Sequence, residues 1–236
     1  MHVRRTAARS LIVLCLLTAG ASASYAQAVD PDPARLVEEI KAFDQWDSKN
    51  TPPAHAVLFA GSSTIRMWAT GSRFPTLTVI NRGFGGSQIS DVNYFVEQTV
   101  TRYSPDVVVF YAGDNDIAAG KTPERVLADY QQFVGRVLAA KPATEIIFIA
   151  VKPSLARWTM WPAMQDANAR VKTYTATRKN LHYIDLAAAM LGRDGTPRPE
   201  LFVADGLHMT AEGYDLWTAQ LAPLITQVRP VMRVVR

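Results

Sequence analysis

The segment Asp106-Val107-Val108-Val109-Phe110-Tyr111-Ala112-Gly113-Asp114-Asn115-Asp116 joins an unbroken apolar run to a loop of hydrogen-bonding side chains. A strand with one wet face alternates, so a continuous run of this length suits a parallel strand covered on both faces. Residues 56–60, 77–80, 145–151 and 181–185 read the same way. Helical spacing of apolar residues fills the intervals. In the clearest case Thr122-Pro123-Glu124 supplies a capping hydroxyl, a proline at the first helical position and an acid in the first turn. Val126, Tyr130, Phe133, Val134, Val137 and Leu138 then follow as a stripe. Residues 34–46, 88–99, 164–178 and 211–228 give weaker versions. This alternation predicts an α/β fold with a five-stranded parallel sheet and helices on both sides.

The 236 residues leave room for one core and not for two full domains. A hydrophobic content of 48% with 19% charged residues describes a packed domain rather than a disordered or nucleic-acid-binding chain. Arg4, Arg5 and Arg9 precede an apolar run from Leu11 to Leu17, and small residues follow up to Ala26. That is the layout of a secretory signal peptide over residues 1–26, cleaved after Ala26 or, as the rival, Ala23. The run is too short to span a membrane, which takes about 20 residues. The expected product is one domain, 27–236, exported to the periplasm or the medium, with no stable membrane insertion. Its removal leaves 22 basic against 21 acidic side chains. Nucleic acid is therefore not an expected partner. Cys15 leaves with the signal, so no disulfide, thiol nucleophile or cysteine metal site is expected. Lipidation at Cys15 is disfavoured by the bulky Leu14 before it.

Open sheets of this type bind ligands beyond the carboxyl ends of their strands, so the loops after the strands hold the candidates. In Gly61-Ser62-Ser63-Thr64-Ile65 a serine at a strand-to-helix turn lies beside outward-pointing N–H groups, or simply caps the helix. Ile65 rules out the G-x-S-x-G elbow. In Asn81-Arg82-Gly83-Phe84-Gly85-Gly86-Ser87 three glycines expose backbone donors. Gln88 stands where a dinucleotide fingerprint would need glycine. Asn115 is a side-chain donor or the start of an Asx turn. Asp205-Gly206-Leu207-His208 offers a general base with a carboxylate able to turn back onto its ring. His2, His55 and His182 are poor competitors: the first lies in the signal, the second precedes a strand and the third lies within one.

These four blocks together resemble the SGNH, or GDSL-like, hydrolases, across roughly residues 54 to 225. The resemblance implies a flavodoxin-like three-layer α/β/α architecture and a serine ester hydrolase. It places the nucleophile at Ser63, the orienting acid at Asp205 and the base at His208. The implied oxyanion donors are the backbone N–H groups of Ser63 and Gly86 and the side chain of Asn115. One departure is that Ser62 stands where the family name has aspartate, which leaves Ser62 as the rival nucleophile.

The expected substrate is a small ester, with short acyl, aryl and acetylated carbohydrate esters as candidates. A lysophospholipase or thioesterase is the enzymatic alternative, an acyltransferase a third, and a glycan- or lipid-binding protein on the same scaffold the non-enzymatic one. Trp158 and Trp161 either flank a bound group or pack their loop onto the sheet. Arg66 and Trp68, a turn beyond Ser63, share that ambiguity. No histidine and acid spacing suggests a metal ligand set, and the chemistry needs no organic cofactor. A histidine base acts only when neutral, which predicts a rate rising with pH through the histidine range. Oligomeric state is not encoded in any motif of the chain.

Overall fold

Strands β1 (Val57–Gly61), β2 (Val79–Gly83), β3 (Val107–Tyr111), β4 (Glu145–Ile149) and β5 (Leu181–Ile184) pair in parallel throughout. Their order in the sheet is β2-β1-β3-β4-β5. The computed structural model describes residues 28–229, and the expected signal peptide lies outside the described residues. The helices are α1 (Val37–Asp47), α2 (Ser63–Arg66), α3 (Thr70–Arg73), α4 (Ile89–Tyr94), α5 (Val96–Thr99), α6 (Asp114–Ala118), α7 (Pro123–Ala140), α8 (Trp161–Thr175) and α9 (Ala211–Val228). After β2 the chain recrosses β1 to reach β3, so the carboxyl ends of β1 and β3 flank the point where the winding reverses. Ligand crevices form at such points.

Alternate strand residues feed two cores. Leu58, Ala60, Val108, Phe110, Ile146 and Phe148 pack with Ile40, Val92, Phe133 and Val171 on one face. Val57, Phe59, Val109, Tyr111, Ile147 and Ile149 pack with Trp68, Phe74, Trp217 and Leu221 on the other. Both faces are dry, and this is why the strands read as unbroken apolar runs. The result is the expected three-layer architecture. Among the described residues, no helix is long and apolar enough to cross a membrane.

Most boundaries shift by one to three residues from the sequence reading, α8 starting at Trp161 rather than 164, and two differences have a clear cause. The second strand is Val79–Gly83 rather than 77–80, with Phe59 opposite Asn81 and Ala60 opposite Arg82. Backbone pairing to β1 extends this edge strand through polar residues. Arg82 sits near the rings of Phe43, Trp46 and Tyr103 and pairs with Asp47, so its buried charge is compensated. The expected helix 88–99 is divided into α4 and α5 at Phe95.

Candidate active site

β1 ends at Gly61 with φ of +135°, and a Cβ there would lie 1.8 Å from the Tyr111 carbonyl oxygen of β3. Only glycine permits that approach. Ser62 follows in extended conformation, donates its N–H to the Tyr111 carbonyl at 3.0 Å and is 1% exposed. Among the described residues its Oγ has no hydrogen-bond partner. Ser63 opens α2, with its Oγ 2.9 Å from Nε2 of His208. Of the two adjacent serines, Ser63 is the one that meets the histidine.

His208 belongs to a tight loop closed by the Val203 N–H donating to the His208 carbonyl at 2.9 Å. Within it, Oδ1 of Asp205 accepts from the N–H groups of Leu207 at 2.8 Å and His208 at 2.9 Å. Oδ2 lies 2.6 Å from Nδ1 of His208. The hydrogen bond from His208, aided by the two backbone donors, holds the Asp205 carboxyl down at about 2. An ionised carboxylate only accepts, so the ring proton sits on Nδ1 and the Nε2 lone pair faces the Ser63 hydroxyl. The loop after β4 braces this segment. The Ala156 N–H donates to the Gly206 carbonyl at 3.0 Å, and Nζ of Lys152 donates to the Leu207 carbonyl at 2.8 Å.

The glycine loop is pinned from both sides. The Phe84 N–H donates to the Gly61 carbonyl at 3.0 Å, and the Gly85 N–H donates to Oε2 of Glu39 on α1 at 2.9 Å. Gly86 then turns with φ of +66°. Among the described residues, neither the Ser63 nor the Gly86 N–H donates to a protein acceptor. Asn115 lies in the first turn of α6, with Nδ2 donating to the Ser87 carbonyl at 2.9 Å. Asp116, fully buried, accepts from the Ile89 N–H at 3.1 Å and pairs with Lys121 at 3.0 Å. Burial raises its carboxyl to about 6 against the pull of Lys121. It thereby ties the start of α4, just past the glycines, to the helix that carries Asn115.

Ser63, Asp205 and His208 thus form one hydrogen-bonded chain, while Asn115 is tied to the carbonyl of Ser87, the residue after Gly86. The remaining candidates lie otherwise. Arg66 turns toward Glu39 at 3.0 Å, over Gly85. Trp158 and Trp161 stack with centroids 6.1 Å apart, and Trp161, 8% exposed, is part of the core. The sequence reading passed over Lys152 and Arg157. Lysine directly after the 145–151 run was the available signal for the first; for the second there was only its place between Ser154 and Trp158. The arrangement can withdraw a proton from Ser63 and offer N–H donors to a developing negative charge.

The sequence profile of the GDSL-like Lipase/Acylhydrolase family matches residues 60–216. No curated protein matches the chain in sequence. Several solved structures share its fold. A GDSL-like lipase from Bacteroides thetaiotaomicron superposes with a TM-score of 0.70 at 23% identity, covering 80% of this chain and 97% of its own. A lipase/acylhydrolase from Enterococcus faecalis gives 0.60 at 21%, covering 76% and 100%. A carbohydrate esterase family 3 structure from Talaromyces cellulolyticus gives 0.61 at 17%, covering 73% and 97%.

Proposed function

Since the chain belongs to the GDSL-like lipase/acylhydrolase family, we propose that it is a serine ester hydrolase acting on short-chain carboxylic or acetyl esters. The chain from Ser63 Oγ through His208 to Asp205, with contacts of 2.9 and 2.6 Å, carries this reading. Ser63 Oγ attacks the ester carbonyl carbon as Nε2 of His208 takes its proton, and Asp205 stabilises the imidazolium. The oxyanion is met by the N–H groups of Ser63 and Gly86 and by the Asn115 amide. On collapse, His208 returns the proton to the departing alcohol oxygen, leaving Ser63 acylated. Water then attacks the acyl carbon, again deprotonated by His208, and the carboxylic acid leaves as Ser63 regains its proton.

Short and soluble esters are preferred in this reading because no long apolar insertion is present to serve as a lid. The signal-like segment at residues 1–26 supports action outside the cytoplasm. The test is hydrolysis of p-nitrophenyl esters from acetate to long chains by the mature protein, with Ser63→Ala and Ser62→Ala in parallel. Activity on the shortest esters that disappears in Ser63→Ala and survives in Ser62→Ala is the expected result. An optimum at long chains would transfer the substrate to the lysophospholipase class. Folded protein inactive on every ester would favour a binding role.

A further inference from the structure

Arg157, in the loop after β4, faces α6. Its Nη2 donates to Oδ1 of Asn115 at 2.9 Å, and its Nη1 lies 3.1 Å from Oδ2 of Asp114 as a charge contact, without a hydrogen bond among the described residues. The guanidinium therefore spans two consecutive side chains of α6. Both partners of the ion pair are largely shielded from solvent.

An asparagine amide has two ends of opposite character, and its use as a donor depends on which end faces the reaction. Here the oxygen end is taken by a group that can only donate. The nitrogen end gives one of its two N–H groups to the Ser87 carbonyl, and the second remains for another acceptor. Rotating the amide by half a turn would set NH2 against the guanidinium and Oδ1 against the Ser87 carbonyl. Both contacts would become repulsive, so the two neighbours together permit a single orientation.

We propose that Arg157 is a positioning residue that fixes the Asn115 amide with its donor end toward the oxyanion. The inference rests on the ester-hydrolase reading of the site. Arg157 meets the oxygen end of Asn115, so its influence on the reaction passes through that amide. A flat, forked cation is needed to reach Asn115 and Asp114 at once, and the point charge of lysine does not replace it. The same loop grips the Asp205–His208 segment through Lys152 and Ala156. One segment thus sets the register of the proton-transfer pair against the oxyanion donor.

The test is a double-mutant cycle between Arg157→Ala and Asn115→Ala on p-nitrophenyl acetate, with kcat, KM and melting temperature read for each variant. Misplacing a group of the site by about 1 Å can cost on the order of 10²-fold in rate. Arg157→Ala is expected to lower kcat by up to that factor with KM unchanged, to recover partly on addition of millimolar guanidinium, and to cost nothing further in the Asn115→Ala background. Arg157→Lys is expected to resemble the alanine variant. Arg157→Gln keeps a planar donor without charge and carries the cycle if the alanine variant does not fold. Additive losses in the cycle, or a rise in KM with kcat intact, would overturn the role of Arg157. If Ser63→Ala retains full activity the site reading itself falls; if Ser63→Ala is inactive while the cycle is additive, only the Arg157 proposal does.

Discussion

The ammonium of Lys152 donates to the carbonyl of Leu207 at 2.8 Å, inside the four-residue segment that holds both Asp205 and His208. Lys152 is 1% exposed, and burial, with the nearby charge of Arg157, lowers its amine to about 8 against the attraction of Asp114 and Asp205. A charged group is thus kept in a dry place to grip one carbonyl of the candidate acid–base loop.

Lys152→Met removes both the charge and the grip. A displacement near 1 Å can cost on the order of 10²-fold, so kcat is expected to fall by roughly that factor or less while the fold persists. The pH dependence has a definite sign. The folded value lies below the unfolded one of about 10.4, so between pH 8 and 10.4 the unfolded chain binds more protons, and Lys152 makes stability rise with pH. Urea unfolding at pH 7 and pH 10 checks this: the wild type should gain on Lys152→Met at the higher pH. A constant gap would contradict it.

Asp205→Asn should retain the fold and lose about 10⁴-fold in kcat, because an amide no longer imposes the tautomer with the proton on Nδ1. Ester hydrolysis by the folded variant at neutral pH checks this. The depressed carboxyl also predicts acid behaviour. Its folded value, about 2, lies below the unfolded value of about 3.9. The stability it contributes is present above the unfolded value and is lost as pH falls toward 2. The wild type and Asp205→Asn should therefore converge in stability between pH 5 and pH 2.5.

Two glycines of the site separate by their surroundings. At Gly61 a methyl group would enter the Tyr111 carbonyl of the neighbouring strand, and Gly61→Ala is expected to yield no folded protein. At Gly86 a methyl group meets nothing within 4 Å, so only its φ of +66° is at issue, costing about 1–2 kcal/mol. Thermal unfolding distinguishes them, and equal losses would contradict the packing described here.

Trp161→Ala should act on stability before substrate. Truncating a buried tryptophan typically costs about 3–5 kcal/mol, and Trp161 stacks on Trp158 within the core around α8. An unchanged urea midpoint together with a raised KM would instead put the indole in contact with substrate.

The architecture was legible because parallel strands buried on both faces leave unbroken apolar runs, and Thr122-Pro123-Glu124 marked the start of α7 at Pro123, with Thr122 as its cap. β2 was cut three residues short at its end, since Asn81 and Arg82 carry no apolar signal and are held in the strand by pairing with β1. The blocks around Ser63, Gly86, Asn115 and His208 were legible because each falls in a loop at the carboxyl edge or just before the last helix, where glycine, hydroxyl, amide and imidazole chemistry stands out locally.

The sequence by itself determined the succession of the five strands and the longer helices, since burial periodicity and capping are local properties, and it indicated the short-range turn by which Asp205 reaches His208 three residues on. Only the tertiary structure showed which of Ser62 and Ser63 meets His208, because that histidine lies 145 residues away. It likewise decided the partners of Lys152 and Arg157, whose hydrogen bonds cross 55 and 42 residues. A long cationic side chain carries no local mark of the carbonyl or amide it will meet, and that choice is made by packing of the loop after β4 against α6 and the segment before α9.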